Sequence, residues 1–277
     1  IERIEKSGVE QGINSGVLSS FTSLLKQRVR SLILETRGID SLLYSGFFNS
    51  FDTAATPYEI IYSSHWAYIV AALYSVADDY AGFRKGIEEF FSERRMASFL
   101  DVTFPENNVF KNNAIRRYAE EIFGQTRIEE FTAMPVARIE SDNGERMASS
   151  GFLRDVTACS WVVCPHFEPV FFGGAMCHSG YPETRSGCGD LLRSVVDEID
   201  VALAGDDHTL EFESGRMLGF FRSMIRTQNR YIPGPGLQNL ADRTFILPSC
   251  GMDYKVKKII DYSEKEWLKL LENKKQI

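Results

Sequence analysis

The chain has 277 residues, 44% hydrophobic and 25% charged, with a formal net charge of -7. That length can bury a full core, and the acidic balance argues against bulk nucleic-acid binding, because Lys255, Lys257 and Lys258 form too small a basic patch to reverse it. No apolar run reaches the roughly 18 residues of a membrane-crossing helix.

Residues 1–29 are predicted as an N-terminal helical extension, with Val17, Leu18, Phe21, Leu24 and Leu25 as its apolar side and Gly8, Gly12 and Gly16 weakening it. Its glutamates Glu2, Glu5 and Glu10 suit packing on a sheet edge better than anionic lipid. The segment opens without a basic region followed by an apolar stretch, so a signal peptide is expected to be absent or already removed. Residues 30–277 are predicted as one α/β domain. Val29 to Leu34 reads as the first core strand, Leu42 to Phe51 as a helix and Asp52 to Pro57 as a loop. Tyr58 to Tyr62 reads as a second strand and Ile69 to Ala77 as an alanine-rich helix. Strand-helix-strand-helix order favours a parallel sheet with helical crossovers.

Gly82 to Arg95 is predicted as one charged helix, Ser98 to Phe110 as irregular, and Asn113 to Phe123 as a helix stopped by Gly124. Met134 to Glu140 alternates as a strand does, and Asp142-Asn143-Gly144 predicts a hairpin turn. A short helix follows over Gly151 to Ser160. Gly173 to Gly189 reads as a glycine-rich loop, Asp190 to Ala204 and Arg216 to Arg226 as helices, and Arg230 to Gly236 as a loop. Thr244 to Pro248 reads as a late core strand and Ser263 to Lys275 as a terminal amphipathic helix.

The cysteines Cys159, Cys164, Cys177, Cys188 and Cys250 are odd in number, which points to reduced, mostly buried thiols in a cytoplasmic or other reducing compartment. None shows zinc-ribbon spacing, so no metal and no cofactor is expected. The glycines form neither a P-loop nor a dinucleotide fingerprint. Twenty phenylalanines imply a heavily aromatic core or an apolar groove.

One junction carries chemical interest. Ser64 lies where a buried strand turns into a helix, the place where hydrolases expose a nucleophile toward a helix N-terminus. That turn normally needs small residues on both sides, and Tyr62 and Trp66 occupy those positions. The order of elements resembles the patatin-like phospholipase family, especially its compact bacterial branch, over roughly residues 30 to 275. The family's Glu-Gly-Gly-Gly-x-Arg-Gly loop falls on Leu34-Glu35-Thr36-Arg37-Gly38-Ile39-Asp40-Ser41, where Glu35 and Gly38 match and Asp40 replaces the arginine. Its Gly-x-Ser-x-Gly elbow falls on Tyr62-Ser63-Ser64-His65-Trp66. Its catalytic aspartate falls on His178 within His178-Ser179-Gly180, or on Phe172 within Phe172-Gly173-Gly174, and neither supplies a carboxylate.

The resemblance implies a three-layer fold with a central, mainly parallel sheet and helices on both faces. It also implies a site made of Ser64 as vestigial nucleophile, His178 as the candidate base, and Thr36, Arg37, Gly38 and Ile39 as the remnant oxyanion loop. A serine attack needs a base and donors for the tetrahedral oxyanion. Here the base is altered, side chains crowd the donor loop, and Tyr62 and Trp66 are expected to fill the former pocket. His65 is expected to be a structural or surface histidine. A surface pair between Arg37 and Asp40 is expected. The implied function is a catalytically inactive scaffold, regulatory or lipid-sensing module, acting with a protein partner or as a homo-oligomer and peripheral to membrane if it meets an acyl ligand. The alternative is a divergent serine acyl-hydrolase using Ser64.

Overall fold

A computed structural model describes residues 29–35, 38–50, 58–101, 108–164, 166–179, 192–204, 241–247 and 255–274. The strand β1 (Arg30–Glu35) leads into a 3-10 turn (Gly38–Leu43) and the helix α1 (Tyr44–Asn49). Next come β2 (Ile60–Ser64), α2 (His65–Val76), α3 (Tyr80–Phe90), α4 (Glu93–Ser98) and α5 (Asn113–Phe123). The hairpin β3 (Met134–Ser141) and β4 (Gly144–Ala148) precedes α6 (Leu153–Trp161). The series ends with β5 (Val170–Phe172), β6 (Ala175–Ser179), β7 (Glu198–Ala204), β8 (Arg243–Leu247) and α7 (Val256–Lys274).

Local chemistry sets many of these boundaries. The Asp79 carboxylate accepts from the Gly82 amide at 2.7 Å and starts α3. The single helix predicted over Gly82 to Arg95 is in fact two, because Ser92 accepts from the Arg95 amide and caps a new start at α4. Gly124 takes φ 54° and ends α5 as expected. The predicted turn at Asp142-Asn143 joins β3 to β4, with Ser141 paired to Gly144.

The strands form one mixed, mostly parallel sheet in the order β5-β6-β3-β2-β1-β7-β8, with β4 also on β3. The run β3-β2-β1-β7-β8 is parallel, and β4, β6 and β5 are antiparallel additions. Helices flank both faces. On one face Leu32, Leu34, Ile61, Ala137, Ile139 and Ala202 join the helices in a large core, rich in aromatic rings such as Phe47, Phe90, Phe91 and Trp161. On the other face Ile33, Tyr62, Val136, Val201 and Leu203 pack with Leu192 and Val196. The alternation of adjacent residues between two clusters is the pleat period of a strand buried on both sides.

Three predicted elements are corrected. The helix predicted over Asp190 to Ala204 gives way to the central strand β7 after a helical turn at 192–195. Ile199, Val201 and Leu203 fill one face while Ala202 and Ala204 fill the other, so pairing to β1 buries both sides. The loop predicted from Gly173 contains β6, because Gly173 and Gly174 both adopt positive φ and form a tight hairpin turn with β5. The terminal helix starts at Val256 rather than Ser263. The predicted 1–29 extension apart from Val29, the helix at 216–226 and the loop at 230–236 lie outside the described residues.

Two anchors tie distant segments to the sheet. Asp200, 1% exposed at the start of β7, accepts from Arg243 at 2.9 and 2.6 Å, from the Tyr58 hydroxyl at 2.6 Å and from Arg30 at 3.3 Å. The buried carboxylate is thereby paired on several sides. The helix α7 lies so close to α1 that the Gly46 amide donates to the Ser263 hydroxyl at 2.8 Å, and Trp267 donates its indole N–H to the Leu43 carbonyl at 2.7 Å.

Candidate functional site

The sheet register decides which way each residue of the β2 terminus faces. Ile33, Tyr62 and Val136 stand abreast, then Leu34, Ser63 and Ala137, and Ser64 stands opposite Arg138. Ser64 therefore projects to the face of Tyr62, while Ser63 projects to the face of the large helical core. Arg138 is buried beside Ser64 and ion-pairs with Glu145 of β4. Among the described residues no carboxylate or imidazole hydrogen-bonds Ser64, which is 3% exposed.

The turn is sharp, but its apex is one residue later than the sequence places it. Ser64 keeps extended backbone, with φ -128° and ψ 163°. His65 has φ 55° and is the one non-glycine residue with positive φ among those described. A side chain held there costs on the order of 1–2 kcal/mol. Counted from His65, the residues two before and two after are Ser63 and Ala67, both small. The sequence signal was present, but a search centred on serine passes over a histidine in that place.

The shift also changes the roles assigned to Tyr62 and Trp66. Both are buried, yet they belong to different clusters on opposite faces of the sheet. The Trp66 indole stacks on Trp161, with centroids 4.8 Å apart and planes at 11°, and lies 5.5 Å from Phe91. They are core residues of two separate layers rather than joint fillers of one pocket. His65, expected to be structural or exposed, is 8% exposed with its ring 5.7 Å from that of Trp66.

His178 lies on β6 opposite Glu140, and its Nδ1 is 2.8 Å from the Ser179 carbonyl oxygen. Residues 137 and 138 pair with both β2 and β4, and residues 139–141 pair with both β4 and β6. A strand has only two edges, so β2 and β6 share one edge of β3 and meet end to end. Ser64 stands at position 138 and His178 at 140, about 7 Å apart along the edge. No hydrogen bond joins them. Ser179, at position 139, occupies the place β2 vacates as it turns off at His65. Its side chain shares the face of Ile139 and Ser63, toward the helical core.

This junction is rich in buried hydroxyls. Ser63 and Ser179 are at most 2% exposed, and their hydroxyls have no hydrogen-bond partner among the described residues. Buried polar groups are ordinarily satisfied, and one left alone costs about 1–3 kcal/mol. Thus the structure sets Ser63 and Ser179 on one face of this junction, where the sequence nominated Ser64 with His178.

Thr36 and Arg37 of the remnant loop lie outside the described residues, as does the side chain of Ile39. The expected Arg37–Asp40 pair therefore falls outside them too. Gly38 opens the 3-10 turn, which packs against α2. Within that turn burial pushes the Asp40 carboxyl up to about 6. The Tyr44 hydroxyl, just beyond it, donates to the Ala202 carbonyl of β7 at 2.8 Å. Cys159 and Cys177 are buried free thiols, each pushed up by burial, and Cys164 is half-buried. Among the described residues no cluster of three or more histidine, cysteine or acidic side chains could hold a metal, and no helix is long and apolar enough to cross a membrane. The sequence matches no protein-family model and no curated protein.

Proposed function

We propose that this protein is a patatin-like fold whose expected serine performs no catalysis, acting instead as a scaffold, regulatory or lipid-sensing module. The observation that carries the reading is the position of the apex. The strained residue that a hydrolase turn would present is His65, and Ser64 keeps extended backbone and points to the face of Tyr62, beside the Arg138–Glu145 pair. A hydroxyl without a base within hydrogen-bond reach stays a weak nucleophile. The patatin-like part of the proposal rests on the order of strands and helices and on the remnant motifs around Glu35, Gly38 and Ser64. A protein partner or second copy, and an acyl ligand, belong to the same proposal.

The test is labelling with a serine-reactive fluorophosphonate, read by peptide mapping. No adduct on Ser64 is expected, and a stable partner or bound lipid is expected on native purification. Stoichiometric labelling of Ser64 that disappears in Ser64→Ala would overturn the proposal in favour of a divergent acyl-hydrolase.

A further inference from the structure

We propose that the cavity between α3 and α4 binds a phosphorylated amine of the phosphoethanolamine type, with its phosphate on Arg94 and Arg95 and its ammonium on Glu88 and Glu89. The site lies apart from Ser64, and it rests on the lipid-sensing reading only for the idea that a lipid headgroup is one source of the ligand. The cavity holds about 710 Å³ and is lined by Glu88 and Glu89 of α3, Ser92 at the bend, and Arg94, Arg95 and Ser98 of α4. Ligand sites commonly fall between roughly 300 and 1,000 Å³. Glu89, Arg94, Arg95 and Ser98 are exposed, so the space is open to a ligand from solvent.

The charges around the cavity point to a zwitterion. Two carboxylates and two guanidiniums line one space, yet among the described residues no ion pair joins α3 to α4 across it. Glu88 instead accepts from Arg84 at 3.1 Å. That guanidinium also serves Asp261 at 2.5 Å and Glu264 at 2.6 Å on α7, so one cation is shared among three carboxylates. Glu89 pairs with Lys85 at 3.8 Å, and both are well exposed. On α4 the Arg94 guanidinium has no hydrogen-bond or ion-pair partner among the described residues. Arg95 lies over the Tyr118 ring of α5, 3.9 Å from its centroid. Walls of opposite sign that do not pair with each other fit a ligand carrying both charges. Ser92 and Ser98 donate to the Glu89 and Arg95 carbonyls at 3.0 and 2.6 Å, so the anion falls to the arginines. Two guanidinium forks offer more donors than one carboxylate accepts side by side, whereas a phosphate has oxygens for both. At the other wall Glu88 and Glu89 accept N–H hydrogen bonds, and among the described residues no aromatic side chain lines the cavity to hold a quaternary ammonium. A primary ammonium is therefore preferred over a trimethylated one.

The experiment titrates the full chain by calorimetry with free phosphoethanolamine, phosphocholine and inorganic phosphate. In parallel the chain is floated with phosphatidylcholine vesicles made with or without phosphatidylethanolamine. Phosphoethanolamine is expected to bind with one-to-one stoichiometry, and about tenfold or more tighter than phosphocholine or inorganic phosphate. Arg94→Ala weakens it by about tenfold or more. Glu88→Gln weakens phosphoethanolamine while leaving inorganic phosphate unchanged or tighter, a split that a general loss of structure would not give. Flotation that needs both phosphatidylethanolamine and Arg94 assigns the ligand to a membrane surface, and binding of the free amine alone assigns it to a soluble source; either supports the site. No heat from phosphoethanolamine up to about 10 mM, or binding that survives Arg94→Ala, overturns it. Equal affinity for phosphocholine overturns the assignment of the ammonium to Glu88 and Glu89. None of these results bears on Ser64, whose fluorophosphonate labelling is read separately.

Discussion

Replacing Asp40 by asparagine is expected to stabilise the protein at neutral pH and to remove part of its dependence on pH. Asp40 sits in the 3-10 turn after β1, and burial lifts its carboxyl from an ordinary 3.8 to about 6. The folded chain therefore holds this proton more tightly than the unfolded chain does. Its contribution to stability is greatest below 3.8 and declines as pH rises toward about 6. The gap between the two values corresponds to about 3 kcal/mol lost at neutral pH, an upper bound because the carboxyl is partly exposed and solvent screens it. Asparagine keeps the size and hydrogen-bonding atoms but carries no charge. The assay is urea denaturation of both proteins from about pH 4 to about pH 8, taking the difference so that all other titrations cancel. The variant is expected to gain on the parent through that interval and to level off above it. A difference that stays constant with pH, or one that favours the parent as pH rises, would refute the burial argument.

Three further predictions concern the apex and the anchors. At His65 the usual order of glycine and alanine is expected to invert: His65→Gly outlasts His65→Ala by about 1 kcal/mol in denaturation, because only glycine escapes the left-handed strain, whereas within a helix it is the weaker residue by a similar amount. The opposite order would show that the apex is elsewhere. Asp200→Ala is expected to cost about 3–5 kcal/mol by leaving Arg243 and the Tyr58 hydroxyl without their shared acceptor, and a loss in denaturation below about 1 kcal/mol would contradict the pairing. Gly46→Ala would set a Cβ 2.3 Å from the Ser263 backbone, which cannot yield as a side chain does. A loss of about 3 kcal/mol and early proteolytic release of α7 are expected, and an unchanged melting temperature would argue that α1 and α7 are less closely apposed.

The contrast between legible and illegible elements has a physical pattern. The hairpin at Asp142-Asn143 and the stop at Gly124 were readable because each depends on the conformational preferences of a few adjacent residues. The β7 segment was not, since Leu192, Val196, Ile199 and Leu203 also sit at helical spacing. Pairing with β1, reinforced by the Asp200 contacts to Arg30 and Arg243, settles it as a strand. Likewise β5 and β6 are short and carry an exposed Phe171, so their pattern is too brief to separate from a loop without the pairing partner.

At the site the same division operates at the scale of one residue. Composition, apolar runs and turn residues are enough to determine a parallel α/β architecture and to mark residues 62–67 as a strand turning into a helix. They leave the face of each residue open, because side chains alternate and a slip of one position exchanges every side chain between the two layers. Only the pairing of Tyr62 beside Ile33 and Val136, and the stacking of Trp66 on Trp161, decide that the two aromatics lie in separate cores. Strand pairing likewise brings Ser63 and Ser179, more than a hundred residues apart, onto one face of the junction where β2 and β6 meet. Local sequence selects the elements, and long-range hydrogen bonding between strands selects which side chains meet.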